Sequence, residues 1–311
     1  MMNNKFFQLA KRLHSSHPCF AEISDQARRT AAGDYGEQDL KYYLEMSGCR
    51  DYLHGIRIEA ESVFQIDYLI MTRCYGLLIE VKNIAGEIYF DPHARQIFRK
   101  NKDEDDVFPD PILQVDLQKK QLQKFLQKHN YPNIPLYGVV VFTNRSGRLL
   151  LQHYPDRDRI LTAQALPFFL ERLEKKYRES HISNTDLAAM RDFLKSSHRP
   201  ANPDLIARYN IKWGDIIKGV RCPECEAYRM KRVRLLWECG YCKHRSGVAH
   251  IIALEEMLTL FSGGLSNKQI QEVLSLHSAD AVQKLMNRSK FTRIGKTKNS
   301  KYILKKDEWR N

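Results

Sequence analysis

The chain has 311 residues, of which 43% are hydrophobic, and a formal net charge of +13. This length allows two or three domains, and the apolar content excludes an intrinsically disordered protein. No apolar run approaches the roughly 18 residues that a membrane span needs, and the N-terminus does not resemble a signal peptide, so the cytoplasm is the expected compartment.

Positive charge is concentrated in the last third of the chain. Residues 205–311 contain 21 Lys/Arg against 10 Asp/Glu, whereas residues 1–204 contain 29 against 27. A basic module attracts polyanions through release of counterions from phosphates. The pattern predicts a nucleic-acid partner, and a basic surface kept only for solubility is the alternative.

The first elements in chain order are two predicted helices, 6–31 and 38–46, separated by the glycine-containing segment 33–37. Residues 63–71 and 76–82 follow as β-branched and aromatic runs with a gap of turn length between them. This pattern predicts an antiparallel hairpin. Shorter strands are predicted over 86–90 and 96–99.

The next segments predict helices on either side of a buried strand. Apolar residues recur at helical spacing over 112–128, and 136–142 is a continuous apolar run typical of a buried strand. Further helices are predicted over 163–177 and 184–196. The order indicates an α/β fold with a mixed central sheet flanked by helices, and the composition of 198–203 indicates a linker.

Charged residues interrupt the predicted hairpin at Asp67, Glu80 and Lys82. Residues i and i+2 of a strand project from the same face, so Glu80 and Lys82 point together, and hairpin pairing can place Asp67 beside Glu80. Two adjacent carboxylates suit Mg²⁺ (or Mn²⁺), which activates water for phosphodiester hydrolysis, and a lysine stabilises the charged phosphorane. The alternative, charges at a sheet edge, leaves their interruption of an apolar strand unexplained.

The region from Gly33 to about Leu126 resembles the NERD domain, the nuclease-related domain of the restriction-endonuclease-like (PD-(D/E)xK) superfamily. The matching pieces, in order, are Gly36-Glu37, Phe64-Gln65-Ile66-Asp67-Tyr68-Leu69, Gly76-Leu77-Leu78-Ile79-Glu80-Val81-Lys82-Asn83, Gly86-Glu87-Ile88 and Asp110-Pro111-Ile112-Leu113-Gln114.

This resemblance implies a restriction-endonuclease-like fold with Asp67 and Glu80 as metal ligands and Lys82 as the catalytic lysine. It also implies that Glu37 is an accessory acid and that Gln65 and Gln114 lie near the site. Helix-dipole stabilisation is the alternative for Glu37, and an ordinary solvent-facing position is the alternative for Gln114.

Two departures from the family pattern stand out. Asp110 replaces the usual Asn before Pro111, and the loop over 97–110 is long and acidic. The loop is expected to affect the path of the substrate and to leave the two carboxylates and the lysine untouched.

Four of the seven cysteines form two CxxC motifs separated by 13 residues. This spacing is typical of a zinc ribbon in which Cys222, Cys225, Cys239 and Cys242 surround one structural Zn²⁺. Paired redox disulfides lack the expected βαβ context. Basic residues between the motifs suit a nucleic-acid surface, although zinc ribbons also bind proteins; they are Arg229, Lys231, Arg232 and Arg234.

The C-terminal residues predict three helices and a hairpin, an arrangement that resembles a winged helix. The helices cover 253–261, 267–276 and 279–287, the last two capped by Ser266 and Ser278. The third helix would be the recognition helix and the basic turn would contact phosphates. A helical protein-contact module is the alternative. The predicted DNA-binding residues are Gln283, Lys284, Asn287, Arg288, Lys296, Lys298 and Lys301.

The sequence therefore predicts a nuclease domain over 1–200, a zinc ribbon over 218–248 and a winged-helix-like domain over 250–311. The expected activity is metal-dependent hydrolysis of DNA. A non-catalytic DNA-binding or regulatory protein with a nuclease-like scaffold is the alternative, and RNA is a possible substrate.

Overall fold

The computed structural model describes residues 4–100, 105–295 and 300–304. The chain forms two compact units. One consists of Ala32–Asn202, and the other consists of the described residues of Met1–Ala31 and Pro203–Asn311. Helix α1 (Lys5–Arg12) belongs to the second unit, and α2 (Phe20–Met46) begins in the second and ends in the first. None of the described helices combines the length and the apolar character that a membrane span requires.

The unit of Ala32–Asn202 has a mixed α/β architecture. After α2, its helices and strands in chain order are β1 (Tyr52–Glu59), β2 (Val63–Met71), β3 (Gly76–Lys82), β4 (Gly86–Asp91), β5 (Gln96–Arg99), β6 (Asp106–Pro109), α3 (Pro111–Lys128), β7 (Leu136–Phe142), β8 (Gly147–Leu150), β9 (Ile160–Thr162), α4 (Leu166–Lys176) and α5 (Asn184–Ser197).

The central sheet has the strand order β1-β2-β3-β7-β9. The predicted hairpin is confirmed, because β2 and β3 pair antiparallel with Tyr68 opposite Ile79. Strand β7 then pairs parallel with β3 from Gly76↔Leu136 to Lys82↔Phe142. Strands β4 and β5, which the sequence predicted, lie in a second sheet of order β6-β5-β4-β8.

Helices cover both faces of the central sheet with separate apolar clusters. Leu40 of α2 and Leu170 of α4 pack with Ile79 on one face. Val115 of α3 and Met190 of α5 belong to the cluster with Leu78 on the other. Because β3 and β7 are buried on both faces, their sequences are almost uninterrupted runs of apolar residues. The predicted mixed sheet flanked by helices is the fold observed.

Helix α2 differs from the sequence prediction, because it continues through the glycines expected to interrupt it. A Cβ at Gly36 would lie 2.7 Å from Asn83 Cβ and 2.8 Å from Thr143 Oγ1. The glycine therefore permits close packing of the helix instead of ending it. The break lies earlier, between α1 and α2, around Pro18.

Strand β1 was not predicted from the sequence. It pairs antiparallel with β2 from Tyr52↔Ile70 to Glu59↔Val63. Its polar residues and Gly55, which has φ +61, weaken the local strand signal. The strand therefore depends on pairing with its neighbour.

The second unit joins the N-terminal helix to the cysteine-containing and C-terminal segments. Its further elements are α6 (Leu205–Arg208), β10 (Met230–Val233), β11 (Leu236–Cys239), β12 (Arg245–Ser246), α7 (Ala249–Leu260), β13 (Leu265–Ser266), α8 (Asn267–Leu274), α9 (Ala279–Asn287), β14 (Thr292–Ile294) and β15 (Lys301–Ile303). Strands β10-β11-β12 form one antiparallel sheet and β13-β15-β14 another.

The three predicted C-terminal helices are present as α7, α8 and α9. Ser266 Oγ accepts from the backbone N–H of Gln269, and Ser278 Oγ accepts from that of Ala281, which confirms both predicted caps. The predicted hairpin is present as β14 and β15, with β13 as a third strand that the sequence did not predict.

The N-terminal residues belong to a different unit from the one the sequence suggested. The predicted nuclease domain began at residue 1, whereas Leu9, Leu13 and Ile23 share an apolar core with Leu254 and Met257 of α7. A buried ion pair adds to this contact. Arg12, which is fully buried, donates from Nε to Glu256 Oε2 at 2.9 Å.

Candidate active site

The charged residues of β3 face helix α3. Lys82 Nζ donates to Glu80 Oε1 at 2.7 Å, which shows that both side chains project from the same face of the strand. Lys82 Nζ also donates to Gln114 Oε1 at 3.0 Å. Glu80 is only 3% exposed, so its charge requires these partners. Neighbouring residues of one strand and one helix thus form a polar cluster in which Glu80 is buried, Lys82 is half-buried and Gln114 is exposed.

Gln118 completes the contacts of Glu80 and was missed in the sequence. Its Nε2 donates to Glu80 Oε2 at 2.8 Å, and the residue is buried. Gln114 and Gln118 are four residues apart and so share one face of α3. The family resemblance already placed Gln114 near the site. The i, i+4 spacing could therefore have predicted that Gln118 lies there as well.

Asp67 lies beside this cluster, where β2 and β3 separate. Its Oδ2 accepts from the backbone N–H of Val81 at 2.9 Å, although the β2–β3 ladder ends at Tyr68↔Ile79. Burial raises the pKa of Asp67 well above its usual value, and the carboxylates of Glu80 and Glu37 raise it further. The carboxylates of Asp67 and Glu80 therefore repel each other, and a nearby cation would relieve that repulsion.

Glu37 of α2 lies close enough to influence Asp67, but its carboxylate has another partner. Glu37 Oε2 is 2.6 Å from His54 Nε2 of β1. The His54 ring packs against Tyr68 with centroids 4.5 Å apart, and Tyr68 donates its hydroxyl hydrogen to the backbone oxygen of Glu37 at 2.7 Å. His54 was also missed, because the strand that contains it was not predicted.

Gln65 is exposed on β2, two residues before Asp67. Among the residues that the structure describes, its side chain has no hydrogen-bond partner, so the structure does not join it to the polar cluster. The prediction that Gln65 lies near the site therefore rests only on its position in β2, two residues before Asp67.

Asp110, the departure from the family pattern, stabilises the start of α3. Its Oδ1 accepts from the backbone N–H of Ile112 at 2.8 Å, and its Oδ2 accepts from the Tyr154 hydroxyl at 2.6 Å. Arg95 Nε lies 2.7 Å from the same Oδ2. The aspartate therefore serves as a helix cap fixed by a cation, and it positions the helix that presents Gln114 and Gln118.

The donor atoms of Asp67 and Glu80 fit a hard divalent cation. Both residues offer carboxylate oxygens, and within the described parts of the chain Oδ1 of Asp67 has no hydrogen-bond partner. Glu37 does not complete a set of three mutually close ligands, since among the described residues only the four cysteines form such a set. Asp67 and Glu80 are therefore the pair that could hold an ion here.

The four cysteines of the second unit form a separate metal-binding cluster. All four Sγ atoms lie within 4.8 Å of one another, and the Cys222–Cys242 and Cys225–Cys239 distances are both 3.6 Å. Four sulfurs about 2.3 Å from one tetrahedral Zn²⁺ lie roughly 3.8 Å apart, so the spacing fits zinc. The backbone N–H groups of Cys242 and Tyr241 lower the pKa of Cys239 to about 7, which favours the thiolate.

The two nearby histidines do not belong to this cluster. His250 stacks on the Trp237 ring with centroids 5.7 Å apart. Cys239 donates its backbone N–H to the backbone oxygen of His244 at 2.9 Å, so His244 contributes through its main chain. All four ligand positions are filled by cysteine.

Most of the predicted DNA-binding residues that the structure describes are exposed. On the β10–β11 hairpin, Arg229, Lys231 and Arg234 are exposed and Arg232 is half-buried. Exposed residues on α9, its C-cap and β15 are Gln283, Lys284, Asn287, Arg288 and Lys301. Lys296 and Lys298 lie outside the described residues.

Residues 32–143 match the model of the family described as nuclease-related domain, NERD. The chain therefore contains a nuclease-related domain, as the motifs from Gly36 to Gln114 indicated. The matched residues include β1 to β7, α3 and the last part of α2, and so contain every residue of the carboxylate–lysine cluster. Comparison with curated proteins and with solved structures gave no match.

Proposed function

We propose that the protein is a Mg²⁺-dependent nuclease that hydrolyses phosphodiester bonds of DNA. The observation that supports this most strongly is the arrangement around Val81. Its backbone N–H contacts Asp67, while its two neighbours, Glu80 and Lys82, contact each other. Two carboxylates and one ammonium group, the charged groups that phosphodiester hydrolysis needs, therefore lie close together within the nuclease-related domain.

Each residue has a definite role in this proposal. Asp67 and Glu80 would hold Mg²⁺, which supplies positive charge where negative charge accumulates on the phosphate. Lys82 stabilises that charge with its ammonium group and orients the attacking water. Gln114 holds the Lys82 ammonium, and Gln118 fixes the Glu80 carboxylate, so both position the reacting groups.

Glu37 acts as the accessory acid. Its negative charge near Asp67 makes the site more attractive to a cation. Its contact with His54 holds the Glu37 carboxylate in place. Gln65 is assigned to contact with the substrate, since it is exposed and lies two residues before Asp67 on β2.

The second unit is proposed to hold the DNA. Zn²⁺ bound by the four cysteines would fix the β10–β11 hairpin, whose exposed Arg229, Lys231 and Arg234 contact phosphates. Helix α9 and the β14–β15 hairpin act as the recognition helix and wing of a winged helix. Lys284 and Arg288 supply positive charge on the exposed side of that helix.

A cleavage assay tests the proposal. The full chain is incubated with supercoiled, linear and single-stranded DNA and with RNA, in Mg²⁺, Mn²⁺, Ca²⁺ or EDTA. Asp67→Ala is compared with Glu59→Gln, a matched loss of one exposed carboxylate on β1. The proposal predicts cleavage in Mg²⁺ by wild type and Glu59→Gln and none by Asp67→Ala. Metal-independent binding without cleavage of any substrate would instead indicate a non-catalytic DNA-binding protein.

A further inference from the structure

A groove of about 470 Å³ lies between α3 and the turn that joins β1 to β2, within the nuclease-related unit. Gln121 Nε2 of the helix donates to Ser62 Oγ of the turn at 2.7 Å, which fixes the two walls to each other. The wall formed by α3 runs from Leu117 to Lys128. At 1.5 Å per residue this wall is roughly 17 Å long. The groove is therefore an elongated track along the helix.

The helix wall of the groove is positively charged. Lys120, Lys124 and Lys128 line it at intervals of four residues, so they share one side of α3 and rise by about 6 Å per step. Lys128 forms an exposed ion pair with Glu61 at 3.4 Å. Lys120 and Lys124 are exposed and have no ion-pair partner in the part of the chain that the structure describes. A repeating cationic row of this kind suits a polymer of evenly spaced anions.

The groove begins on the turn of α3 that contacts the candidate active site. Gln114 and Gln118 of the same helix contact Lys82 and Glu80, and Leu117, the first lining residue on α3, lies between them in the sequence. Leu117 is 58% exposed. A ligand that extends away from the polar cluster along α3 would meet this apolar side chain first and the lysines next.

We propose that this groove binds the DNA strand that continues from the scissile phosphate, with Lys120 and Lys124 on successive phosphates and Leu117 against a sugar or base. The lysine interval is comparable with the distance between neighbouring phosphates of one strand. The identity of the ligand rests on the proposed nuclease function. The inference adds a substrate-binding track inside the nuclease-related unit, independent of the basic C-terminal residues.

Steady-state cleavage by the full chain tests the track. Lys120→Gln/Lys124→Gln is compared with Lys175→Gln/Lys176→Gln, which removes the same charge from exposed positions of α4 on the other face of the sheet. The track predicts that KM for DNA rises several-fold in the first variant, with kcat within about twofold of wild type. The salt dependence of binding should weaken by roughly one unit of slope per lysine. Equal kinetics in the two double variants would overturn the proposal.

Lysine acetylation footprinting separates this inference from the nuclease assignment. The full chain is acetylated with and without a DNA strand, in Ca²⁺, and modification is measured by mass spectrometry. Protection of Lys120 and Lys124, but not of Lys175 and Lys176, supports the track even if the wild type cleaves nothing. Cleavage without such protection would remove the track and leave the nuclease proposal standing. Equal protection by polyglutamate of similar length would exclude DNA as the specific occupant.

Discussion

The carboxylate of Asp67 accepts a hydrogen bond from the backbone N–H of Val81 at 2.9 Å, at the point where the ladder between β2 and β3 has ended. A side-chain oxygen thus replaces the strand carbonyl that would otherwise satisfy this donor. The bond fixes Asp67 against the segment that bears Glu80 and Lys82. A local separation of two strands therefore creates both the space and the anchoring for an acidic pair.

The metal-free protein should be stabilised by Asp67→Asn at neutral pH. The amide oxygen can still accept from Val81, whereas the charge is removed. Burial raises the pKa of Asp67 above its usual value of 3.8, with Glu80 and Glu37 adding to the shift. A carboxyl with a raised folded-state pKa contributes stability that is present below the unfolded pKa and is lost as pH rises through the folded pKa.

Thermal unfolding without added Mg²⁺ measures this effect. The variant is expected to melt roughly 2–4 °C above wild type at pH 8, the shift that about 1 kcal/mol produces in a unit the size of Ala32–Asn202, and the difference should vanish near pH 4. Added Mg²⁺ should raise the melting temperature of wild type only. Identical melting curves at both pH values would show that Asp67 is not under electrostatic strain.

Gln118→Met should impair catalysis by releasing Glu80 Oε2 from its donor. Removing an outer hydrogen-bond partner of a metal ligand typically costs 10- to 100-fold in metal affinity or activity. We therefore expect kcat to fall by about tenfold or more and the Mg²⁺ concentration for half-maximal cleavage to rise. The control is Gln164→Met, at an exposed position. If both variants match wild type across a Mg²⁺ titration, Gln118 does not position Glu80.

The cysteine cluster should bind one Zn²⁺ per chain. Replacing buried Cys239 with Ser removes one ligand, so zinc content should fall and β10–β11 should lose its fixed structure. Cys19→Ser, in the same unit but outside the cluster, should keep the metal. Metal analysis and thiol titration of the purified proteins measure this. Full zinc content in Cys239→Ser would contradict the four-cysteine assignment.

The buried ion pair between Arg12 and Glu256 should be required for stability of the second unit. Arg12 is fully buried and Glu256 is 4% exposed, and Arg221 also donates to Glu256. Breaking such a pair from one side leaves uncompensated buried charge and costs about 3–5 kcal/mol. Glu256→Gln should therefore lower the urea midpoint strongly.

The matched comparison for this pair is the exposed ion pair of Arg28 with Asp25. Exposed pairs contribute about 0–1 kcal/mol, so Arg28→Ala should hardly change the midpoint. If Glu256→Gln shifts the urea midpoint no more than Arg28→Ala does, the buried pair contributes little to the stability of the fold.

The sequence predicted those parts of the fold whose signals are local. The hairpin of β2 and β3 and the caps Ser266 and Ser278 follow from alternation, turn length and N-cap chemistry. The course of α2 through Gly36 could not be predicted in this way. That glycine is explained by Asn83 and Thr143, which approach it from distant parts of the chain.

The candidate site was predicted where family motifs and strand geometry coincide, at Asp67, Glu80 and Lys82, whose catalytic roles stay predictions. Gln118 and His54 were missed because their significance arises from contacts between elements. The grouping of the N-terminal residues with the C-terminal ones was missed for the same reason. Arg12 and Glu256 are far apart in the sequence, and neither residue type alone indicates a buried pair.

The most direct test of the proposed catalysis is the single-turnover rate of DNA cleavage by Glu80→Gln, measured with saturating enzyme and Mg²⁺. Saturation removes differences in DNA binding, so the rate reports the chemical step. If Glu80 holds the metal beside Lys82, the rate should fall at least about a hundredfold while DNA affinity in Ca²⁺ is retained. A rate equal to that of wild type would contradict hydrolysis at this site.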